Sequence, residues 1–402
     1  MIPRFRPPHT MRDLGVLFTR KKSAESIAEF ESAFARVAGQ RHARVFPYGR
    51  TALVAVLEYL KEKSEPGKTE VICPSYTCVV VAHAIVEAGL NPVFVDSEES
   101  TLNMDWAYVH QAVSSNTLAV ISTSLFGNPV RKSDIDDFRT KFPDVFVVQD
   151  CAHSFFAGDI HREGVAAIYG MNVSKIVTSV FGGMVSTDDP NLAEWLRVFQ
   201  SEKLVSSTSV DRFFRSLYFV GSLVAFSPPV YWLTFLLQRA GILARFVNYY
   251  RPDSIDFPKD AYRQIGSVEA SLALRQINNY TDEVNRRITL AKIYDEALSV
   301  SSSVDVIRYG AQPTYSHYVV KTNYAEKISK RLVSKRIELG RIVDYDIASL
   351  PVYARAPYFG KGLSRTAPEM VLNLPLHRGV TLSVARNISR DFVDVLGSVE
   401  SK

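Results

Sequence analysis

Four short apolar runs, Val71-Ile72-Cys73-Pro74, Pro92 to Val95, Leu118 to Ser122 and Val145 to Val148, succeed one another before Asp150, each separated from the next by residues at helical spacing. Runs this short, without polar alternation, suit strands buried on both faces, and the helices between them supply the crossovers that parallel strands need. The pattern predicts an α/β chain built on a mostly parallel, mixed sheet covered on both sides. The crossover helices are read at Val79 to Ala88, Trp106 to Val113 and Asp134 to Phe142. Earlier helices are read from Ala24 to Ala38, where Ile27, Phe30, Phe34 and Val37 recur and Gly39 stands at the cap, and from Gly49 to about Tyr59. In sheets of this kind, ligands gather beyond the C-terminal ends of the strands.

Past Lys175 the alternation weakens. Met184 to Ser186 predicts one more strand and Ser267 to Leu298 a long helix. From Ser303 the tail offers a strand at Ser316 to Val320 and helices at Ala325 to Ile337 and Leu382 to Leu396, enough for a smaller α+β domain. The expected division is a large domain over 1–290, carrying an apolar insertion at about 211–250, and a small C-terminal domain over 291–402. With 402 residues, 47% hydrophobic and 22% charged, the chain has the material for both cores.

The insertion carries no charge from Leu217 to Leu237. That stretch could span a bilayer, but Pro228-Pro229 would break a continuous helix. Arg212 and Arg215 precede it, and Arg239, Arg245 and Arg251 follow, as in segments that rest on an anionic membrane surface. One reading is a helical hairpin that docks on a membrane, there to meet a lipid-linked sugar. The other, which is preferred because apolar inserts commonly bury against a partner subunit, is a dimer-interface excursion. Lys+Arg 47 against Asp+Glu 42 gives a net charge of +5 without dense basic runs, which argues against a nucleic-acid binder. Cys73, Cys78 and Cys151 make neither a disulfide framework nor a zinc-ligand spacing, so no metal is expected. Arg4, Arg6, Pro7, Pro8 and His9 interrupt any signal-peptide core, and a cytoplasmic location is expected, with membrane association as the variant of the hairpin reading.

Three features carry chemistry. Asp150 directly follows an apolar strand, in Val147-Val148-Gln149-Asp150-Cys151-Ala152-His153, which sets its carboxylate at the sheet edge; alone, such a residue is as readily a turn or cap residue. Lys175 ends Asn172-Val173-Ser174-Lys175 and is followed by Gly182-Gly183, although a solitary lysine is usually a surface residue. Gly49-Arg50-Thr51, at a helix start, would aim free N–H groups and a guanidinium at a phosphate, or simply open an ordinary helix.

Taken in that order, with Cys73-Pro74-Ser75-Tyr76-Thr77, Phe126-Gly127-Asn128-Pro129 and the late Leu374-Pro375-Leu376-His377, these segments give a chain that resembles the DegT/DnrJ/EryC1/StrS sugar aminotransferases from about Phe30 to Leu396. The resemblance implies the pyridoxal-phosphate fold type I, a homodimer with active sites at the subunit interface, and pyridoxal 5'-phosphate as cofactor. It further implies that Lys175 bonds the cofactor aldehyde and shuttles a proton at the amino-bearing carbon, and that Asp150 pairs with the pyridine nitrogen. His153 would lie near the ring and support Asp150. Gly49 and Arg50 match the glycine and small hydroxyl residue that hold the phosphate in the family, with Thr51 beside them.

This chain also departs from the family. Cys78 stands where many relatives stack an aromatic ring, leaving Tyr76 as the candidate for stacking. Gly170 replaces a phosphate-binding serine, with Arg50, Asn172 and Ser174 as replacements; Phe181 and Gln149 replace acidic residues. The implied reaction moves an amino group, from a donor such as glutamate, to a keto sugar, nucleotide-linked, for surface polysaccharide, lipopolysaccharide or amino-sugar biosynthesis. The alternatives are a sugar dehydratase, whose relatives carry histidine in place of the lysine, a transaminase acting on a non-nucleotide substrate, or a non-catalytic protein of the same fold in a glycan assembly complex.

Overall fold

The computed structural model describes residues 1–19, 21–243, 251–299 and 301–401; Arg245 and the end of the apolar insertion at 244–250 lie outside them. Its first half runs α1 (Ser23–Ala38), β1 (His42–Phe46), α2 (Gly49–Lys63), β2 (Glu70–Pro74), α3 (Val80–Glu87), β3 (Asn91–Val95), α4 (Trp106–Ala112), β4 (Thr117–Thr123), α5 (Lys132–Lys141), β5 (Phe146–Asp150), β6 (Ala166–Gly170), β7 (Gly183–Thr187) and α6 (Pro190–Lys203). The apolar runs are therefore strands, each within a residue or two of its expected bounds. Neither β1 nor β6 was legible. His42 and Arg44 interrupt β1, which lies at the sheet edge and turns Arg44 to Glu31 at 3.1 Å, while Ala-Ala-Ile-Tyr-Gly has little strand propensity.

The large sheet has the order β1-β7-β6-β5-β4-β2-β3, and only β7 runs antiparallel to its neighbours. Successive strand residues feed opposite faces, as the pleat requires: Val147 packs with Phe30, Phe34 and Phe138 on one side, Val148 with Leu53, Val56 and Ile85 on the other.

The insertion folds as two helices, α7 (Ser209–Ala225), opened by a Thr208/Asp211 capping box, and α8 (Tyr231–Arg239). The break falls at Pro228-Pro229, where a proline cannot supply the N–H that a helix needs. No helix among the described residues is long and apolar enough to cross a membrane. Of the flanking arginines, Arg212 and Arg239 are exposed, and Arg251 is exposed with Asp256 at 3.8 Å. Arg215 is not a surface cation: it is buried against Glu269 and Asp260, both at 3.3 Å, and donates to the carbonyls of Arg263 and Gln264.

The expected single helix from Ser267 to Leu298 is two, α9 (Ser267–Asn278) and α10 (Tyr280–Leu298), because Asn279 leaves helical geometry and its Nδ2 donates back to the Arg275 carbonyl. The core changes within α10: Tyr280 packs in the large domain, whereas Leu290, Tyr294 and Leu298 pack in the small one. The small domain holds β8 (Asp305–Val306), β9 (Tyr318–Lys321), α11 (Ala325–Ser334), β11 (Val371–Leu374) and α13 (Leu382–Glu400), with an antiparallel sheet ordered β11-β9-β8. A division at residue 290 is too simple in one respect. The chain returns to the large sheet as β10 (Tyr358–Phe359), parallel to β3, before entering α12 (Leu363–Met370).

Asp96, at the end of β3, fastens that return. Its Oδ2 accepts from the N–H groups of Lys361, Gly362 and Leu363 at 2.7 to 3.0 Å, and its Oδ1 from the N–H and hydroxyl of Ser364 at 2.7 and 2.6 Å. Burial works to raise this carboxyl, but the Ser364 donors and backbone N–H groups outweigh it and hold the group down to about 2. Since the folded value lies below the ordinary carboxylate value, the stabilisation is full above pH about 4 and is lost as the pH falls towards 2. Thermal unfolding across that range is expected to show Asp96→Asn well below the wild type at neutral pH, with the gap closing at the acid end.

Candidate active site

Asp150 ends β5 at the C-terminal edge of the sheet, beside Thr123 at the end of β4. Its Oδ1 accepts from the Ala152 N–H at 3.0 Å and its Oδ2 from the Thr123 hydroxyl at 3.4 Å. Burial raises its pKa, against the lowering effect of the Ala152 N–H and the Lys175 charge. Lys175 sits on the turn between β6 and β7, held by Asn172, whose Oδ1 accepts from the Ser174 N–H and hydroxyl at 3.0 and 2.7 Å. Burial lowers the lysine's pKa, against the raising effect of Cys78 and Asp150. The Lys175 amine makes no hydrogen bond or ion pair among the described residues, yet it and the Asp150 carboxylate line one cleft of about 1060 Å³.

A second wall is the start of α2. Tyr48 caps it without a side-chain hydrogen bond, so the first-turn N–H groups have no partner within the helix. This helix end reaches the site because three glycines meet there: a Cβ on Gly49 would lie 3.1 Å from the Gly170 Cα, and one on Gly183 would overlap the Tyr48 carbonyl and the Gly49 nitrogen. That close approach accounts for the second glycine of the Gly182-Gly183 pair, and Gly170 leaves open the space in front of Lys175.

Gly49, Arg50, Cys78, Asp150, His153, Asn172, Ser174 and Lys175 all line the cleft. Arg50 is held on the cleft wall, donating to the Asp256 carbonyl at 3.0 Å and lying 5.9 Å from the Phe257 ring centre. Two expected residues point elsewhere. The Thr51 hydroxyl donates to the Ala261 carbonyl at 2.7 Å, leaving only its backbone for the site. Tyr76 is buried against Phe126 and donates to the Val343 carbonyl at 3.1 Å, so it offers the cleft no stacking surface. No hydrogen bond joins His153 to Asp150; instead the His153 Nδ1 accepts from the Phe126 N–H at 3.3 Å, which puts the ring proton on Nε2.

The residue that sequence reading missed is His317, which the small domain brings to the cleft 5.1 Å from the His153 ring, with its Nδ1 at 3.0 Å from the Ser316 hydroxyl. Burial, then the charge on Lys175, lowers both imidazoles, His317 to about 3, so both are neutral at neutral pH. Its only trace in the sequence was a histidine heading an apolar strand.

The family model of the DegT/DnrJ/EryC1/StrS aminotransferases matches residues 19–225, half of the chain and every site group above except His317. The chain belongs to that family. It is 31% identical to the GDP-perosamine synthase of Caulobacter vibrioides over 44% of this chain and 47% of that one. It is 24% identical to the GDP-perosamine synthase of Escherichia coli O157:H7 over 82% and 79%. The chain thus spans about half the length of the first of these relatives and most of the second. Helicobacter pylori PseC, an aminotransferase involved in the biosynthesis of pseudoaminic acid, superposes with a TM-score of 0.77 over 99% of both chains at 16% identity, which establishes the fold type I architecture.

Pyridoxal phosphate is the cofactor of this family, and the site fits it. A half-buried amine and a buried carboxylate line one cleft without forming an ion pair, which is the donor set for an aldehyde at one end of a ring and a protonated ring nitrogen at the other. The free N–H groups of α2 and Arg50 suit the phosphate. Widening Gly183 to valine is expected to drive β7 from the start of α2 and weaken pyridoxal-phosphate binding by roughly tenfold or more, the cost of losing one or two good phosphate hydrogen bonds. Titration of the cofactor's absorbance measures it.

Proposed function

We propose that this chain is a pyridoxal-phosphate aminotransferase that takes an amino group from glutamate and passes it to a nucleotide-linked keto sugar destined for a surface polysaccharide or lipopolysaccharide. The observation that carries the reading is the half-buried Lys175 and the buried Asp150, lining one cleft without forming an ion pair with each other. When bound, the cofactor supplies an aldehyde that receives the amino group and a ring that takes up electrons. Lys175, its pKa lowered by burial, would bond that aldehyde and move a proton at the amino-bearing carbon. Asp150, at the far side, would hold the proton of the ring nitrogen. The neutral His153 would offer its Nε2–H as a donor within the cleft. Family membership and the perosamine synthases among the relatives support the sugar acceptor.

The purified protein with pyridoxal phosphate is expected to develop a visible absorption band that requires Lys175 and that glutamate converts to the band of the amine form. Asp150→Asn is expected to slow the conversion by about 100-fold, the size of effect seen when one preorganised electrostatic group is removed. A band that survives Lys175→Ala, or one that glutamate leaves untouched, overturns the reading.

The reading includes a homodimer. On the outer side of α7 and α8, Phe213, Val224, Leu233 and Leu236 are between 43% and 63% exposed, an apolar face that a second copy would cover. Sedimentation velocity is expected to give a dimer that Phe213→Glu with Leu236→Glu weakens. An anionic bilayer is the other cover for this face. Flotation with anionic liposomes would reveal it as binding that depends on residues 217–237.

A further inference from the structure

Among the described residues, Lys175, Arg50, Arg215, Arg4 and Arg341 are the cationic side chains that line the cleft. The first two belong to the cofactor groups. Arg215 is paired with Asp260 and Glu269, both at 3.3 Å, and the Arg4 Nε lies 3.7 Å from Glu338. Arg341, half-buried, makes no hydrogen bond or ion pair among the described residues. Its chain neighbours Gly340 and Ile342 are both bonded to a second group that lacks a partner. This is Asn373 on β11, 3% exposed, whose Oδ1 accepts from the Ile342 N–H at 2.9 Å while its Nδ2 meets no acceptor. The Ile342 bond fixes which end of the amide is oxygen, so the free end is a donor. Gly340 and Asn373 exchange backbone N–H···O bonds at 2.9 and 2.8 Å, which holds the two groups in one place on the cleft wall.

A guanidinium fork beside an amide donor suits phosphoryl oxygens, and a ligand oxygen would remove the cost of leaving the buried amide hydrogen without an acceptor. The segment that carries Arg341 also has a direction. At one end the Tyr345 hydroxyl accepts from the Val79 N–H at 2.9 Å, next to Cys78 and the cofactor groups; at the other, a Cβ on Gly340 would lie 3.6 Å from the Arg4 Cβ. Between them Asp344 lines the cleft, exposed and without a hydrogen bond or ion pair among the described residues. A carboxylate repels phosphate and accepts from hydroxyl groups, so it suits the sugar. The chain from Asp344 to Arg341 covers at most about 10 Å, the breadth of a sugar ring with its phosphate ester. Past Gly340, next to Arg4, the Phe5 and Phe226 rings lie 4.8 Å apart and offer apolar faces to a base. Tyr218 and Gln238 line the same cleft with polar ends that no side-chain hydrogen bond engages among the described residues, so donors and acceptors are left for a polar ligand.

We infer that Arg341 and Asn373 hold the phosphate of the nucleotide-linked acceptor, with its sugar turned inward past Asp344 to Lys175 and its base outward to Phe5 and Phe226. This inference rests on the aminotransfer reading and adds to it the direction in which the acceptor lies and the side chains that select it.

Calorimetric titration of the full-length protein, loaded with pyridoxal phosphate, with GDP, UDP and dTDP tests it. At least one of these is expected to bind saturably and far more tightly than its own nucleoside. Arg341→Gln and Asn373→Asp, the second keeping an acceptor for the Ile342 N–H, should each weaken that diphosphate by roughly tenfold or more, the loss of one hydrogen bond to a charged group. Arg341 is half-buried and Asp344 exposed, so their variants keep the fold even should Asn373→Asp lose it. Asp344→Ala should weaken the matching hexose-linked nucleotide, GDP-mannose, UDP-glucose or dTDP-glucose, and not the bare diphosphate, whereas Arg341→Gln should weaken both. Unchanged diphosphate binding in Arg341→Gln overturns the inference, as does a nucleoside that binds as tightly as its diphosphate, or no binding by any of the diphosphates. A bare diphosphate weakened by Asp344→Ala as much as its hexose form overturns the direction. The response of the wild-type cofactor to glutamate is read separately. If it is present while no diphosphate binds, only the phosphate site falls; if it is absent, amino transfer falls whatever binds.

Discussion

Two charged groups, the buried Asp150 at a sheet edge and the half-buried Lys175 on the turn after β6, line one cleft without forming an ion pair. A direct ion pair would close the site. The rest of the architecture keeps them apart and available. Parallel β4 and β5 end side by side, so Thr123 and the Ala152 N–H can hold the carboxylate. Asn172 braces the turn that carries the lysine, and Gly170 sets no side chain against the lysine's Cε. The antiparallel β7, with Gly183 against Tyr48, presses the start of α2 towards the same point.

The small domain closes this arrangement from the other side. Glu283 on α10 accepts from Arg286, Arg287 and Arg378, and the resulting cluster holds its carboxyl down to about 2 despite the burial that acts to raise it. Arg287 in turn donates to the carbonyls of Tyr315 and Ser316, the residues that carry His317 into the cleft. An ion cluster around Glu283 of α10 thereby sets the position of an imidazole at the active site. Such a link ties cleft geometry to domain packing, because the buried arginine cannot leave its carbonyls without leaving them unpaired.

Cys78 lines the cleft while Tyr76 turns inward, so neither lays a ring across that part of the wall. The helices of the insertion line the same cleft, which runs from the cofactor groups along α7.

By itself the sequence determined the alternation of strand and helix, the sheet-edge position of Asp150, the order of the phosphate, carboxylate and lysine segments, and the proline break between α7 and α8, since each is written in local spacing or in a residue's own backbone chemistry. Helix ends were legible to within a few residues, but the break at Asn279 was not, because a side chain returning to the Arg275 carbonyl leaves no periodic mark. Tertiary structure alone decided which side chains meet. Thr51 and Tyr76 turn to the carbonyls of Ala261 and Val343, partners more than two hundred residues away in the chain, and Arg215 is drawn inward by Glu269 and Asp260. His317 reaches His153 only because β9 and α10 pack as they do. Hydrogen bonds between residues far apart in sequence follow from the packing of whole elements, and no local pattern encodes them.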